Sequence, residues 1–175
     1  DGPFQPTPCQ ELKKLADPQR GSGSIKPNVD LLKQKVNAPA NKTESGFLTE
    51  KLQNPDHTYR YQNTNIVSPD QHDVPITVGA DYIGGGHSHP EDGHPMFSFA
   101  DVGVLRSAYE QTTPASRRAE VYFMLVCKNQ ISGAVKSYAI KVDNIISLSS
   151  AYDAVWNDPK YASIADEKER MKKIL

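Results

Sequence analysis

Between Gly84 and Asp101 the chain reads Gly84-Gly-Gly-His87-Ser-His89-Pro90, seven further residues, then Ser98-Phe-Ala-Asp101. No other stretch restricts the local backbone so tightly. Ile76–Gly84 has the composition of a strand and runs straight into the glycines. Ser98–Gln111 carries Val102, Leu105 and Tyr109 at helical spacing. The segment therefore reads as strand, tight loop and helix. Three successive glycines permit close backbone approach and φ/ψ values closed to other residues, and Pro90 then turns the chain away. Histidines at i and i+2 of an extended segment share one side, so His87 and His89 project together. Asp101, early in the next helix, can add an oxygen. Two imidazoles and a carboxylate fill three corners of a tetrahedral metal site and leave the fourth for water, the catalytic rather than the structural arrangement. Ser98 and Asp101 also satisfy a helix capping box, which taken alone accounts for both.

The rest of the chain sets the frame. With 175 residues, 37% of them hydrophobic and 23% charged, and a mean hydropathy of −0.59, the chain can bury one core and leaves long polar segments outside it. A formal charge of −1 argues against a general nucleic-acid binder. No apolar run approaches the ~20 residues that a membrane span needs. Residues 1–43 read as an arm: a proline-rich tether, a short helix over Cys9–Ala16, a flexible Gly21–Ser24 break and a helix over Asn28–Val36. The start at Asp1 and the tether suggest attachment to a larger protein, with a secreted or cell-surface setting slightly favoured over a cytoplasmic one. From Glu44 the texture is strand-like. Strands are expected over Gly46–Leu52, Thr58–Val67, Glu120–Cys127 and Ala134–Val142, and a charged helix over Ser149–Leu175. The fold class is α+β, a mixed central sheet flanked by helices, with residues 44–175 as the domain.

His87-x-His89-Pro90-x7-Ser98-x-x-Asp101 resembles the signature of the JAMM (MPN+) family of zinc metallopeptidases, over roughly residues 44–145. The resemblance implies a JAMM and cytidine-deaminase-like fold. It implies Zn²⁺ on His87, His89 and Asp101, Ser98 stabilising an oxyanion, and an upstream glutamate activating the water. Glu44, just ahead of a strand, is the candidate for that glutamate, with Glu50 as the alternative. Family members usually carry a glycine three residues after it, whereas here Gly46 comes two after. The implied activity is zinc-dependent hydrolysis of a peptide or isopeptide bond in a peptide or protein substrate. The other reading is a non-catalytic JAMM-like docking or assembly module at the end of a larger secreted or phage-like protein. Oligomeric state is not readable.

Other residues carry less. Arg60, Asp92 and His94 are placed for substrate contact by loop position only. His57 and His72 read as solvated, and Trp156, between Tyr152 and Tyr161, as packing for the last helix. Gly84–Gly86 is no phosphate loop, since no Gly-Lys-Ser/Thr follows. Cys9 and Cys127 are too few for a disulfide scaffold but could form one bridge from arm to core; otherwise Cys127 is a buried strand residue.

Overall fold

The computed structural model describes residues 7–39, 41–68, 74, 76–90 and 93–174. In chain order its elements are α1 (Pro8–Leu15), α2 (Lys26–Asn37), β1 (Ser45–Gln53), β2 (Tyr59–Asn63), β3 (Tyr82–Ser88), α3 (Phe99–Gln111), β4 (Tyr122–Lys128), β5 (Val135–Ile140), α4 (Ile145–Trp156), α5 (Pro159–Ala162) and α6 (Glu167–Lys173). The strands form one sheet in the order β2-β1-β3-β4-β5. β3 and β4 are parallel, joined through α3, and the other neighbours are antiparallel. This is the α+β, mixed-sheet class that the sequence indicates.

β4 organises both cores because it is apolar on both faces, as expected for a strand covered from two sides. Tyr122 and Val126 point to one face and Phe123 to the other. On the first face, Leu15, Ile25, Val29, Leu32 and Val36 pack against Phe47, Tyr122 and Val126. All five are buried, Leu32 completely, and each such side chain contributes about 1.5–3 kcal/mol relative to exposure. The expected arm is thus, from α1 onward, a layer of the fold. Its apolar residues are few but lie on the two helix stripes that meet the sheet. Residues 1–6 of the expected tether lie outside the described residues.

On the second face, Leu105 and Ala108 of α3 pack with Val121 and Phe123. α4 lies outside α3, with Phe99 stacked on Tyr152 (centroids 4.1 Å apart) and Trp156 (6.1 Å). Arg170 of α6 sits 4.4 Å over the Trp156 ring. It also donates to the carbonyls of Ile164 (3.1 Å) and Ala162 (2.8 Å). Trp156 therefore packs the last helix, as its aromatic neighbours indicate.

Three boundaries differ from expectation. The strand expected over Ile76–Gly84 begins at Tyr82 and continues through the glycines to Ser88. Ile76 and Val78 pack on the second core from irregular backbone, because strand partners become available only where β3 enters between β1 and β4. β2 ends at Asn63, and Val67 returns only as a single bridge to Gly46. The C-terminal helix is three helices, interrupted where Asp158 precedes Pro159 and again before the Asp166 N-cap.

The glycines are required by close approach. Gly84 has φ +146°, and a Cβ there would lie 2.1 Å from the carbonyl oxygen of Tyr122. Gly84→Ala should cost about 3 kcal/mol, since both the backbone and a neighbouring strand must shift, and lower Tm by roughly 6–12 °C. Gly133→Ala supplies the control, because Gly133 also has positive φ (+69°) but nothing lies within 4 Å of its Cβ position. Equal melting temperatures for the two variants would remove the close-approach argument.

Candidate metal centre

The site stands where β3 leaves the sheet. His87 pairs with Gly46 on β1 and Leu125 on β4, so it is enclosed from both sides. His89 lies just past the strand end, its N–H donating to the Val126 carbonyl at 3.1 Å. Both residues are buried, at 3% and 8% exposure. Strand alternation turns both toward the face that carries α3, while Ser88 between them points away and accepts from the Ser45 N–H at 3.2 Å.

Each imidazole is oriented by a backbone carbonyl. His87 Nδ1 lies 3.2 Å from the Met124 oxygen, and His89 Nδ1 lies 2.6 Å from the His94 oxygen. A carbonyl only accepts, so both Nδ1 atoms carry hydrogen and both Nε2 atoms present lone pairs. Those two Nε2 atoms face each other at 3.0 Å. Phe123 stacks on the His87 ring at 5.0 Å between centroids, fixing its plane.

Asp101 closes the group. Its Oδ1 lies 3.2 Å from His87 Nε2, and its Oδ2 lies 3.8 Å from His89 Nε2. The capping box forms as well: the Ser98 hydroxyl accepts from the Asp101 N–H at 3.1 Å, and the Ser98 N–H donates to Asp101 Oδ2 at 2.7 Å. The two readings of Ser98-x-x-Asp101 are therefore compatible. The helix cap holds the carboxylate at the angle that the imidazoles require, the role outer hydrogen bonds play around metal ligands.

One atom from each of His87, His89 and Asp101 lies within 4.8 Å of the others, and the group could hold a metal ion. Its electrostatics fit a cation. Burial, then the neighbouring His87, push His89 below the ordinary histidine value, outweighing its bond to the His94 carbonyl and the nearby Asp101. Burial opposes ionisation of Asp101, but a proton on His87 Nε2, through its hydrogen bond and charge, together with the Ser98 N–H, outweighs it and holds the carboxyl below its usual range; a metal cation would take the place of that proton. With both imidazoles neutral, a carboxylate and two lone pairs converge in a mostly buried cluster, and a cation between them would relieve the repulsion.

Glu44 immediately precedes β1. Gly46 opposes His87 across the sheet, so alternation places Glu44 on the histidine face. Glu44, His87, His89, Ser98 and Asp101 all line one cleft of about 640 Å³. Glu50 sits farther along β1, beside Tyr82, whose hydroxyl is held above the ordinary value by desolvation first and by Glu50 second. It does not line the cleft. Arg60 is exposed on β2 and donates to Asn54 at 2.6 Å, away from the cleft. His94 borders the cleft and contributes its carbonyl. Asp92 and His72 lie outside the described residues. Cys9 and Cys127 are free thiols, Cys9 exposed and Cys127 buried. Of the two readings of the pair, this is the one with Cys127 as a buried strand residue: it alternates with Val126 and so points to the face opposite α1. Burial pushes its thiol up, which suits core packing rather than reactivity.

Sequence reasoning missed Phe123 as the platform for His87, and Val104 and Met171 as walls of the cleft. Phe123 carried a strand signal only. Met171 was the one apolar residue in a charged run, which is a usable hint of a covered position. Among the described residues, no helix is long and apolar enough to cross a membrane. No protein-family model, curated protein or solved structure matches the chain.

Proposed function

We propose that the protein is a zinc-dependent hydrolase of peptide or isopeptide bonds, with a JAMM-like fold and site. The observation that carries this reading is the convergence of two lone-pair-bearing imidazoles and a capped carboxylate in a cleft that also contains Glu44 and Ser98. A parallel β3–β4 pair bridged by α3, with the ligands at its end, supports the finer fold assignment.

His87, His89 and Asp101 would hold the ion. Two neutral nitrogens and one carboxylate suit zinc with an open position. When bound, zinc supplies a Lewis acid that lowers the pKa of a water and polarises a carbonyl. The chain's own groups do the rest. Glu44 takes the proton from the attacking water and returns it to the leaving amine. The Ser98 hydroxyl accepts from the helix with its oxygen while its hydrogen donates to the developing oxyanion, so capping and catalysis do not compete. Phe123, stacked on His87, presents an apolar surface beside the reacting atoms.

The test is metal analysis of protein purified without added metal, followed by cleavage of a peptide library before and after chelation. One zinc per chain is expected, with cleavage lost on chelation and regained with zinc. Zinc-loaded protein that cleaves nothing would favour the docking-module reading. Iron in place of zinc would point to the oxygen chemistry that a two-histidine, one-carboxylate set also supports.

A further inference from the structure

We infer that the cleft beside the metal ligands is a specificity pocket for an apolar side chain of the residue whose carbonyl is attacked. This rests on the hydrolase reading above and adds the substrate class to it.

The cleft continues from the ligand cluster along one wall made by Ile76, Val104 and Phe123, with Val74 beside β1 and Met171 of α6 opposite. Phe123 is nearly fully buried, and Ile76 and Val104 are the outer members of the second core. The pocket is therefore an opening onto the hydrophobic interior, bounded by β4, α3 and α6 and by the loop segments that carry Ile76 and Met96. Polar groups converge at His87, His89, Asp101, Glu44 and Ser98, where the reacting atoms would lie, and α6 adds Glu167, Lys168 and Lys172 around Met171. That division, a few converging polar groups at one end and an apolar wall at the other, is how small-molecule and peptide sites separate chemistry from recognition. A volume of about 640 Å³ admits a peptide segment with one large side chain. Lys168 and Lys172 of α6 also line the cleft, but an acidic side chain seated on the wall of Ile76, Val104 and Phe123 would lose its hydration there with no cation on that wall, so it should be rejected.

The test uses zinc-loaded full chain and three hydroxamate probes read by calorimetry, independently of turnover. Acetohydroxamate reports the metal alone; N-acetyl-leucine hydroxamate and N-acetyl-aspartate hydroxamate add a side chain. Burying a leucine side chain corresponds to about 10–100-fold tighter binding than acetohydroxamate. The aspartate probe should bind no better than acetohydroxamate. Val104→Arg should erase the leucine preference while keeping acetohydroxamate affinity. Val104→Ala, which only shortens a half-buried side chain, should reduce the preference a few-fold and guards against misfolding of the arginine variant. Leucine and aspartate probes of equal affinity, or an undiminished preference in both Val104 variants, would overturn the pocket while leaving the metal centre standing. Failure of acetohydroxamate to bind would overturn the metal centre, and the pocket assignment with it. Absence of peptide cleavage alongside a leucine preference would overturn the hydrolase reading and the scissile-residue role with it, leaving only an apolar binding pocket beside the metal.

Discussion

Alanine at His87 should abolish stoichiometric zinc. The proposed site has three protein ligands, and removing even an outer hydrogen-bond partner of a ligand typically costs 10–100-fold in affinity. Loss of a ligand should therefore exceed ~100-fold, enough to strip the ion during purification. His87 is buried and stacked on Phe123, so the variant should also melt lower, and circular dichroism must show it folded. Asp101→Asn serves as a second variant: it keeps side-chain shape and a capping oxygen but removes the charge. Both should fail to retain zinc by mass spectrometry, and full occupancy in either would displace the site. The pH dependence has a definite sign. Protons compete with metal for the imidazoles, and His89 resists protonation more than an exposed histidine because of burial and His87. Affinity should hold near neutrality and fall as pH drops below about 6. Metal-free protein should lose stability in the same direction. The unfolded chain takes up the His89 proton first, near pH 6.5, and at lower pH the stabilisation from ionised Asp101 is lost as well.

Glu44→Gln should retain zinc and a near-native melting temperature yet lose roughly 10²–10⁴ in kcat, the range assigned to a positioned general base. The amide keeps the shape of the side chain but cannot accept the water's proton. Glu50→Gln is the informative companion. Glu50 sits six residues farther along β1, about 20 Å at strand rise, against Tyr82 rather than in the cleft. Its variant should turn over within about twofold of the parent. Reversal of the two results would mean that the register between β1 and β3 differs from the one described.

The candidate metal ligands were legible in the sequence for a physical reason: all three come from one strand, loop and helix that follow one another along the chain. The spacing of His87, His89 and Asp101 therefore translates directly into space. The capping box of Ser98 was equally local. Glu44 was a candidate only through family resemblance, since its place beside the histidines depends on Gly46 pairing with His87 across two strands. The strand expected from Ile76 began late because β-branched composition reports a preference, while strand structure also requires partners. The expected arm became a core layer for a related reason: the stripe of Val29, Leu32 and Val36 was visible, but the sheet face that it covers was not. Phe123 and Met171 reach the cleft through tertiary packing, which leaves no local signature.

The compactness of the ligand segment along the chain also bears on how the protein assembles. His87, His89 and Asp101 remain near neighbours even when the chain is unfolded, since closing so short a loop has a small entropic cost. An unfolded chain should then keep some affinity for the ion, and ligand linkage depends on the difference in affinity between the two states. A zinc-induced rise in Tm will therefore understate the native affinity measured directly. The same locality allows the ion to be captured before β1 has paired with β3. Glu44 would then be the last group to arrive, so metal uptake and catalytic competence would be acquired in separate steps.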